Sequence, residues 1–312
     1  MANELLIFTG NAHPVLAEEI SQVLKIPLGE MMVSRFSEGE IRVKVNENVR
    51  GKDVFLIQPT CPPPNENMME LLIIIDAIRR ASAKRITAVL PYFGYARQDR
   101  KDQPRVPITA KLVANLITVA GADRVLTIDL HAGQIQGFFD IPVDHLFAVK
   151  VFVDHLKEMK LKDLVIVSPD VGGIKMARAY AKRLSAGLAI VDKRRVSPEE
   201  TEVMHILGEV RDKNAVIVDD LIATGGSLIE ASLVLKNAGA KKVFGAVTHA
   251  VLSGDAVQKI GNSPIEKLFV TNTIPIPQEK KHPKICVLSI APLLAEAIKR
   301  IHQEESVSCL FD

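Results

Sequence analysis

The sequence predicts an α/β protein with two tandem domains, each built on a parallel sheet flanked by helices. Short apolar runs alternate with amphipathic helical stretches along the whole chain, which is the pattern of parallel α/β sheets. The length of 312 residues fits two domains of about 150 residues each. Apolar runs in both halves also end in acidic or imidazole residues, at Thr127–His131 and Val165–Asp170. We therefore expect domains at residues 1–146 and 147–312, meeting near Ile141–Val149 with the active site between them.

The first half contains four strand candidates that alternate with three helix candidates. Each strand candidate is a short run rich in apolar and β-branched residues, and each helix candidate has apolar residues at helical spacing. The predicted strands are Leu5–Thr9, Val54–Gln58, Ile86–Pro91 and Arg124–Leu130. The predicted helices are Pro14–Leu24, Asn67–Ala81 and Ile108–Ala120.

The second half repeats this alternation, without a proline-rich or low-complexity linker before it. Its predicted strands are Leu164–Ser168, Ala189–Val191, Val216–Asp219, Val243–Thr248, Leu268–Thr271 and Ile285–Leu288. Its predicted helices are Lys150–Lys157, Gly173–Leu184, Ser227–Asn237 and Pro292–Gln303.

Composition argues against several classes of protein. Thirty-nine Lys and Arg against 37 Asp and Glu give a net charge of +2, so no global field favours nucleic acid or a membrane. Cys61, Cys286 and Cys309 are far apart and odd in number, which gives neither a zinc spacing nor a disulfide framework. The longest apolar runs, such as Leu71–Ile75, are far below the roughly 20 residues of a membrane span. We expect a cytoplasmic protein that binds small molecules.

The segment Val216–Glu230, VIVDDLIATGGSLIE, is the most informative in the chain. Asp219 and Asp220 follow a predicted buried strand, and a turn of small residues, Ala223–Ser227, leads from them into a predicted helix. The free N–H groups of a helix N-terminus favour a phosphate, while the carboxylate pair suits the vicinal hydroxyls of a sugar or a metal above them. A glycine pair alone can also simply cap a turn. Taken together, these residues predict a ribose 5-phosphate site. The segment resembles the fingerprint of type I phosphoribosyltransferase-fold proteins.

A second strand-to-glycine turn occupies Ser168–Gly173. Gly172 and Gly173 would let the backbone approach a pyrophosphate closely, although the segment could also be a plain strand–helix connection. In the first half, Asp129 and His131 lie on the same face at a strand end. Together with Asp170 they are candidates for Mg²⁺ or phosphate binding, with a satisfied polar histidine as the alternative.

Two further segments are candidates for nucleotide binding. In the segment from Pro91 to Asp102, the tyrosines and Phe93 beside Arg97 and Gln98 could form a base shelf and a phosphate clamp, or a solvated loop. The predicted hairpin turn FSEGE places Phe36 beside the carboxylates of Glu38 and Glu40, which could read a base and its exocyclic amine.

A basic run, DKRR, begins at Asp192 and continues as a polar loop to Glu202. Such a run is usually a solvated face. Positive charge on a lid is also what phosphoryl transfer requires, because Lys, Arg and Mg²⁺ neutralise the charge of the loose transition state.

An ordered set of blocks resembles the ribose-phosphate pyrophosphokinase family, also called phosphoribosyl pyrophosphate synthetases. The blocks cover nearly the whole chain from Phe36 onward: FSEGEI, TCPPPNENMMELL, ITAVLPYFGYARQDRKD, VLTIDLHAGQIQGFFDIPVDHL, VSPDVGG, VDKRR, VDDLIATGGS and EESVSCLF. The resemblance implies two type I phosphoribosyltransferase-like domains. It also implies transfer of the β,γ-pyrophosphoryl group of Mg·ATP to the 1-hydroxyl of ribose 5-phosphate, which releases AMP and supplies nucleotide biosynthesis.

The resemblance also implies roles for individual residues. Lys193 and Arg195 would be catalytic, closing on the transferring group. His131 and Asp170 would hold Mg²⁺, with Asp129 as a further candidate. ATP would be bound by Phe36, Glu38, Gly39 and Glu40 from a neighbouring subunit and by Arg97, Gln98, Asp99 and His131. Ribose 5-phosphate would be bound by Arg195, Asp219, Asp220, Ala223, Thr224, Gly225, Gly226 and Ser227, and pyrophosphate by the loop with Asp170, Gly172 and Gly173.

Two positions depart from the family's usual pattern. Glu38 stands where Asp or Asn is commoner, and Ala223 stands where the family usually has Asp. Because backbone N–H groups would bind most of the phosphate, alanine at position 223 bears on the geometry of the loop more than on the kind of ligand that the loop binds. A phosphoribosyltransferase and a non-catalytic regulatory homologue remain the alternative functions.

The C-terminal segment Glu305–Phe311 suggests regulation. Its serines alternate with apolar residues as in an ordered strand-like segment, and it resembles a family tail that lines a subunit-interface site for phosphate and ADP. The resemblance implies a homo-oligomer, a hexamer, that inorganic phosphate activates and ADP inhibits. The implied residues are Arg50, Gln136, Asp144, Ser306, Ser308 and Phe311.

Overall fold

The computed structural model describes residues 4–194 and 203–311, which form two compact units. The first unit comprises Met1–Phe147, Thr273–Pro275 and Ile290–Asp312, and the second comprises Ala148–Asn272 and Ile276–Ser289. Each unit has its own cluster of buried apolar side chains. The predicted α/β class, with parallel sheets flanked by helices, is confirmed.

The first unit contains a parallel sheet with the strand order β1-β4-β5-β6-β7. Its central strands are continuous apolar runs because helices cover both faces, as the full burial of β4 illustrates. The strands are β1 (Leu5–Thr9), β4 (Asp53–Ile57), β5 (Arg85–Leu90), β6 (Arg124–Ile128) and β7 (Val143–Leu146). The helices between them are α1 (Pro14–Leu24), α2 (Pro64–Arg80) and α3 (Thr109–Ala120).

An antiparallel hairpin stands apart from this sheet. Its strands are β2 (Met31–Arg35) and β3 (Ile41–Val45). The turn is closed by the bond from Phe36 N to Glu40 O, 2.8 Å, and Gly39 provides the left-handed conformation (φ 96°) that the turn needs. The predicted hairpin turn is therefore confirmed.

The second unit contains a seven-stranded sheet with the order β10-β9-β8-β11-β12-β13-β14 within the described part of the chain. All neighbours are parallel except the edge pair β9–β10. The strands are β8 (Leu164–Ser168), β9 (Gly187–Arg194), β10 (Val203–Leu207), β11 (Asn214–Ile222), β12 (Lys242–Ala250), β13 (Ile265–Thr271) and β14 (Ile285–Leu288). The helices are α4 (Val149–Glu158), α5 (Ile174–Leu184), α6 (Gly226–Asn237) and α7 (Ala256–Asn262).

The last helix, α8 (Ala291–His302), belongs to the first unit, although the sequence placed residues 147–312 together. It packs against α1 and buries an apolar face. Its C-terminal end is tied to a carboxylate that is 2% exposed: Asp53 receives two bonds from Arg85, 2.8 and 2.5 Å, and lies 2.8 Å from His302 Nδ1. These long-range contacts, which local patterns do not reveal, explain the difference from the expected boundary.

The helices offer no candidate for a transmembrane segment. Among residues 4–194 and 203–311, none combines the length and the apolar character that crossing a bilayer requires.

Candidate active site

Asp219 and Asp220 lie inside β11 rather than after it. The predicted strand ended at Asp219, but β11 continues to Ile222 because β12 still pairs with it, with Asp219 opposite Val247. On the other side, β8 pairs with β11 only as far as Ile217. The two carboxylates therefore lie where one side of β11 has lost its neighbouring strand, and both are partly exposed.

Burial and charge repulsion raise the pKa of Asp219. Its Oδ1 accepts a hydrogen bond from the Asp220 backbone N–H at 2.9 Å. Burial is the largest cause of the shift, followed by the charge of Asp220, and Asp170 adds to it, so the pKa rises from 3.8 to about 8. A carboxylate pair in this state favours ligands that bring positive charge or hydrogen-bond donors.

The turn after β11 leads directly into an N-terminus without a side-chain cap. Gly225 is the N-cap of α6, has a left-handed backbone (φ 79°) and offers no side chain to the first-turn N–H groups. The turn is held in place by the bond from Ser253 N to Ala223 O, 2.9 Å. Thr224 and Ser227 are exposed beside it. Uncapped amides at a helix N-terminus favour an anion, and here they follow the carboxylate pair directly in the sequence.

The predicted second glycine turn also leads into a helix whose N-cap is a glycine. Gly173 is the N-cap of α5, again without a side-chain cap, and its N–H donates to Asp170 Oδ1 at 2.9 Å. A Cβ on Gly173 would come within 2.7 Å of Ser168 Oγ, so a larger residue does not fit without a shift. Asp170 is exposed and interacts electrostatically with Asp219, which brings this turn to the same edge of the sheet as the carboxylate pair.

The basic run is only partly described. Residues 192–194 belong to β9, where Lys193 pairs with Met204 of β10, so the expected loop does not begin at Asp192. Pairing with β10 holds residues 192–194 in an extended conformation. Arg195 and the rest of the predicted lid to residue 202 lie outside the described residues.

In the first unit, the hairpin turn presents its aromatic side chain to solvent. Phe36 is 46% exposed, and the guanidinium of Arg42 lies 5.5 Å from its ring centre. Glu38, Gly39 and Glu40 are exposed in the same turn. The turn therefore has an accessible ring beside carboxylates.

The loop after β5 brings only some of its predicted residues to the surface. Arg97 and Gln98 are exposed, and Asp99 accepts a bond from Gln134 at 3.1 Å. The side-chain oxygen of Gln98 accepts a hydrogen bond from the hydroxyl of Thr109, the first residue of α3. The idea that Phe93 forms a base shelf is wrong, because Phe93 is 3% exposed and packs on Phe139 in the core.

The turn after β6 is held by a histidine that the sequence analysis missed. Asp129 is buried with a left-handed backbone (φ 39°), and His131 is exposed two residues later. His145 Nε2 accepts a hydrogen bond from Leu130 N at 2.9 Å, which fixes the turn between them. The signal was weak because His145 lies in β7, a strand of four residues.

The tail is ordered by contacts within the first unit, but it is not strand-like. The Ser306 hydroxyl accepts from Ser308 N at 3.2 Å, which curls the backbone into a short 3-10 helix at Ser308–Leu310. Phe311 packs edge-on against Phe147 with ring centres 5.9 Å apart, and Phe147 lies 4.6 Å from His145. The expected strand-like conformation is therefore wrong, while the expectation of order holds for residues up to Phe311.

The other predicted regulatory residues have different neighbours. Arg50 is exposed, and its backbone N–H donates to Asn48 Oδ1 at 3.1 Å. Gln136 is exposed in the 3-10 helix Gly133–Phe138. Asp144 is paired with Arg124 at 2.6 Å.

The described residues contain no group of three or more His, Cys, Asp or Glu side chains arranged to hold a metal ion by themselves. Mg²⁺ needs no such cage, since it retains waters and binds through one or two carboxylates together with phosphate oxygens. The exposed Asp170, which interacts electrostatically with Asp219, fits a divalent cation held in this way.

Comparisons with known proteins agree with these features. A family model for the N-terminal domain of ribose phosphate pyrophosphokinase matches residues 5–121, and one for the phosphoribosyl synthetase-associated domain matches residues 194–312. The ribose-phosphate pyrophosphokinase of Campylobacter jejuni is 55% identical over 305 residues, 98% of each chain. That of Bacillus caldolyticus is 54% identical over 310 residues, 99% of this chain and 98% of the relative.

A solved structure extends the agreement to three dimensions. The crystal structure of phosphoribosylpyrophosphate synthetase from Mycobacterium smegmatis matches with a TM-score of 0.92 at 43% identity, covering 97% of this chain and 100% of that chain. Both sequence and fold therefore agree over nearly the full length, and the chain belongs to the ribose-phosphate pyrophosphokinase family.

Proposed function

We propose that this chain makes phosphoribosyl pyrophosphate by transferring the β,γ-pyrophosphoryl group of Mg·ATP to the 1-hydroxyl of ribose 5-phosphate, with AMP as the second product. The observation that carries this proposal is the pairing of Asp219 and Asp220 with the uncapped N-terminus of α6 in one segment of the second unit. A sugar phosphate supplies the two complementary groups, hydroxyls for the carboxylates and an anion for the amides.

The 5-phosphate would lie on the turn from Ala223 to Ser227. First-turn amides and the positive end of the helix dipole stabilise an anion there, and the hydroxyls of Thr224 and Ser227 add donors. Ala223 contributes only backbone in this arrangement. Its lack of a carboxylate therefore leaves the phosphate contacts in place.

The ribose hydroxyls would donate hydrogen bonds to Asp219 and Asp220. Such donors stabilise an ionised carboxylate, and burial together with the charge of Asp220 disfavours the ionised form of Asp219 in the unliganded protein, where its pKa is raised.

The triphosphate would approach through the turn at Asp170. Gly172 and Gly173 leave the backbone accessible, and the N-terminus of α5 favours negative charge. We assign Asp170 and His131 to the Mg²⁺–ATP complex, with the buried Asp129, two residues before His131, as a further candidate. When bound, Mg²⁺ neutralises and orients the phosphate oxygens.

We assign recognition of the base to the hairpin turn and of the ATP phosphates to the loop after β5. The exposed ring of Phe36 offers a stacking face, and Glu38 and Glu40 can accept from an exocyclic amine. Arg97 is an exposed cation for phosphate oxygens. Gln98 and Asp99 are assigned to the same nucleotide, with the hairpin supplied by a neighbouring subunit.

Lys193 and Arg195 are assigned to the transfer step. The transition state spreads negative charge over the moving pyrophosphoryl group, and two cations stabilise it more than the ground state.

Regulation is assigned to the tail of the first unit and its surroundings. The hydroxyls of Ser306 and Ser308 and the exposed cation of Arg50 suit a phosphate, and Phe311 suits a base. Gln136 and Asp144 complete this assignment. We propose a homo-oligomer, a hexamer, in which inorganic phosphate activates the enzyme and ADP inhibits it through this site.

Formation of AMP from ATP and ribose 5-phosphate tests the activity. The purified protein is incubated with both substrates, Mg²⁺ and inorganic phosphate, and products are separated by ion-exchange chromatography. We expect AMP and phosphoribosyl pyrophosphate in equal amounts, and neither product when ribose 5-phosphate is omitted. ADP in place of AMP, or no product at saturating Mg²⁺ and phosphate, would refute the proposal.

A further inference from the structure

The first turn of α2 contacts two separate segments that carry the proposed ATP-binding residues. Glu66 forms an ion pair with Arg35 at the end of β2. Asn65, the preceding residue, accepts a hydrogen bond from the hydroxyl of Tyr95 in the loop after β5. We call these residues the α2 bridge: Arg35, Asn65, Glu66 and Tyr95.

On the hairpin side, Arg35 reaches both the helix and the turn. Its Nη2 pairs with Glu66, while its Nη1 donates to Gly39 O at 3.1 Å. Gly39 N in turn donates to Phe36 O at 3.0 Å, so the guanidinium is bonded to the turn that presents Phe36. The ion pair therefore ties the turn that carries Phe36 to α2, in addition to the packing of β3 on this helix.

On the loop side, Tyr95 begins the turn that carries Arg97 and Gln98. Its left-handed backbone (φ 62°) directs the chain into this turn, and its carbonyl accepts a hydrogen bond from Gln98 N at 3.0 Å. The bond from its hydroxyl to Asn65 ties the start of the turn to the same helical turn that holds the hairpin.

Because the ion pair is exposed, its effect on the position of the turn can be tested with little effect on the stability of the protein. The side chains of Arg35 and Glu66 are 49% and 53% exposed, and ion pairs this open to solvent add little to folding stability. Breaking the pair should therefore leave the protein folded while it releases the turn.

We propose that Asn65 and Glu66 of the α2 bridge are positioning residues for ATP: Glu66 holds the base-reading turn that the subunit presents to its neighbour's nucleotide, and Asn65 holds the phosphate-reading loop for the nucleotide of its own subunit. This inference rests on the proposed function of those two segments. It adds that neither Asn65 nor Glu66 needs to touch the nucleotide to govern its affinity.

The kinetic test compares Glu66 variants with a matched control on the same helix. Asp76 forms an exposed ion pair with Arg80, 2.7 Å, on α2, and Asp76→Asn breaks this pair without touching the hairpin. We expect Glu66→Gln to raise the KM for ATP about threefold, and Glu66→Lys about tenfold because repulsion replaces attraction. The KM for ribose 5-phosphate and kcat should stay within about twofold of the wild type, as should all constants of Asp76→Asn.

A conservative variant and a measurement without catalysis complete the test. Glu66→Asp keeps the charge and should recover most of the lost ATP affinity. Amide hydrogen exchange at residues 36–41 should be faster in Glu66→Lys than in Asp76→Asn, since the turn loses an attachment.

The outcomes separate this inference from the proposed function. A wild-type protein that forms no AMP refutes the proposed function. If the wild type is active, the inference is overturned when the Glu66 variants keep the wild-type KM for ATP. It is also overturned when both KM values, kcat and the melting temperature change together, because that pattern indicates a structural role only.

Discussion

Replacing Asp219 by asparagine should stabilise the protein while it removes a ligand for the sugar. Partial burial, followed by the charge of Asp220, raises the pKa of Asp219 from 3.8 to about 8. Between these two pH values the folded protein holds a proton that the unfolded chain has released. The free energy of unfolding of the wild type therefore falls as the pH rises from about 4 to about 8. The asparagine of Asp219→Asn cannot ionise, so the free energy of unfolding of this variant should not fall in this way between pH 4 and pH 8.

The size of the effect follows from the same shift. One pKa unit corresponds to about 1.4 kcal/mol, so the full shift would correspond to about 6 kcal/mol. Because Asp219 is partly open to solvent and shares the repulsion with its neighbour, we expect about 2 kcal/mol at pH 8. A gain of this size would raise the melting temperature by about 4–8 °C, and the gain should vanish near pH 4.

Calorimetric unfolding at pH 5, 6.5 and 8, without Mg²⁺ or phosphate, measures this difference free of ligand effects. Asp255→Asn in the same unit is the control. The hydrogen bond from Lys259 holds the pKa of Asp255 below its usual range, so removing that carboxylate should not stabilise the protein at high pH. If Asp219→Asn is no more stable than the wild type at pH 8, or if its gain does not depend on pH, the reasoning about the carboxylate pair is refuted.

Two further predictions concern catalysis and regulation. Lys193→Ala and Arg195→Ala should each lower kcat by roughly 10²–10³-fold with little change in ATP affinity, because the two cations act on charge that develops in the transition state. Steady-state kinetics and ATP-binding measurements check this prediction, and a kcat near the wild type in both variants would contradict it. Deleting residues 306–312 should reduce ADP inhibition and alter phosphate activation while the KM values for both substrates stay near the wild type; ADP inhibition that is purely competitive with ATP in the intact protein and unaffected by the deletion would disprove the regulatory site.

Local patterns predicted the elements that place the candidate site. The run before Asp219 and the glycines that follow it were sufficient to predict a strand leading into an uncapped helix N-terminus, because both signals lie in adjacent residues. The same holds for the turn at Asp170 and for the hairpin turn at Phe36.

Features that depend on contacts between residues far apart in the chain could not be predicted from local sequence patterns. Phe93 looks like its aromatic neighbours in the sequence, and only its packing on Phe139 shows that it is a core residue. The strand β7 and the helix α7 are too short to give a clear period. The tail curls because a serine hydroxyl bonds to the backbone two residues later, which competes with the extended pattern of its side chains.

The position of α8 in the first unit has a consequence for synthesis on the ribosome. Domains generally fold as they emerge, the N-terminal one first. Here the first unit needs α8, whose buried face and whose His302 beside the carboxylate of Asp53 come from the last part of the chain to be translated. Residues 4–147 therefore emerge before the helix that packs on α1, and the apolar surface that α8 covers stays open while the second unit is made. Nascent chains halted before residue 290 should contain the whole second unit while the first still lacks α8.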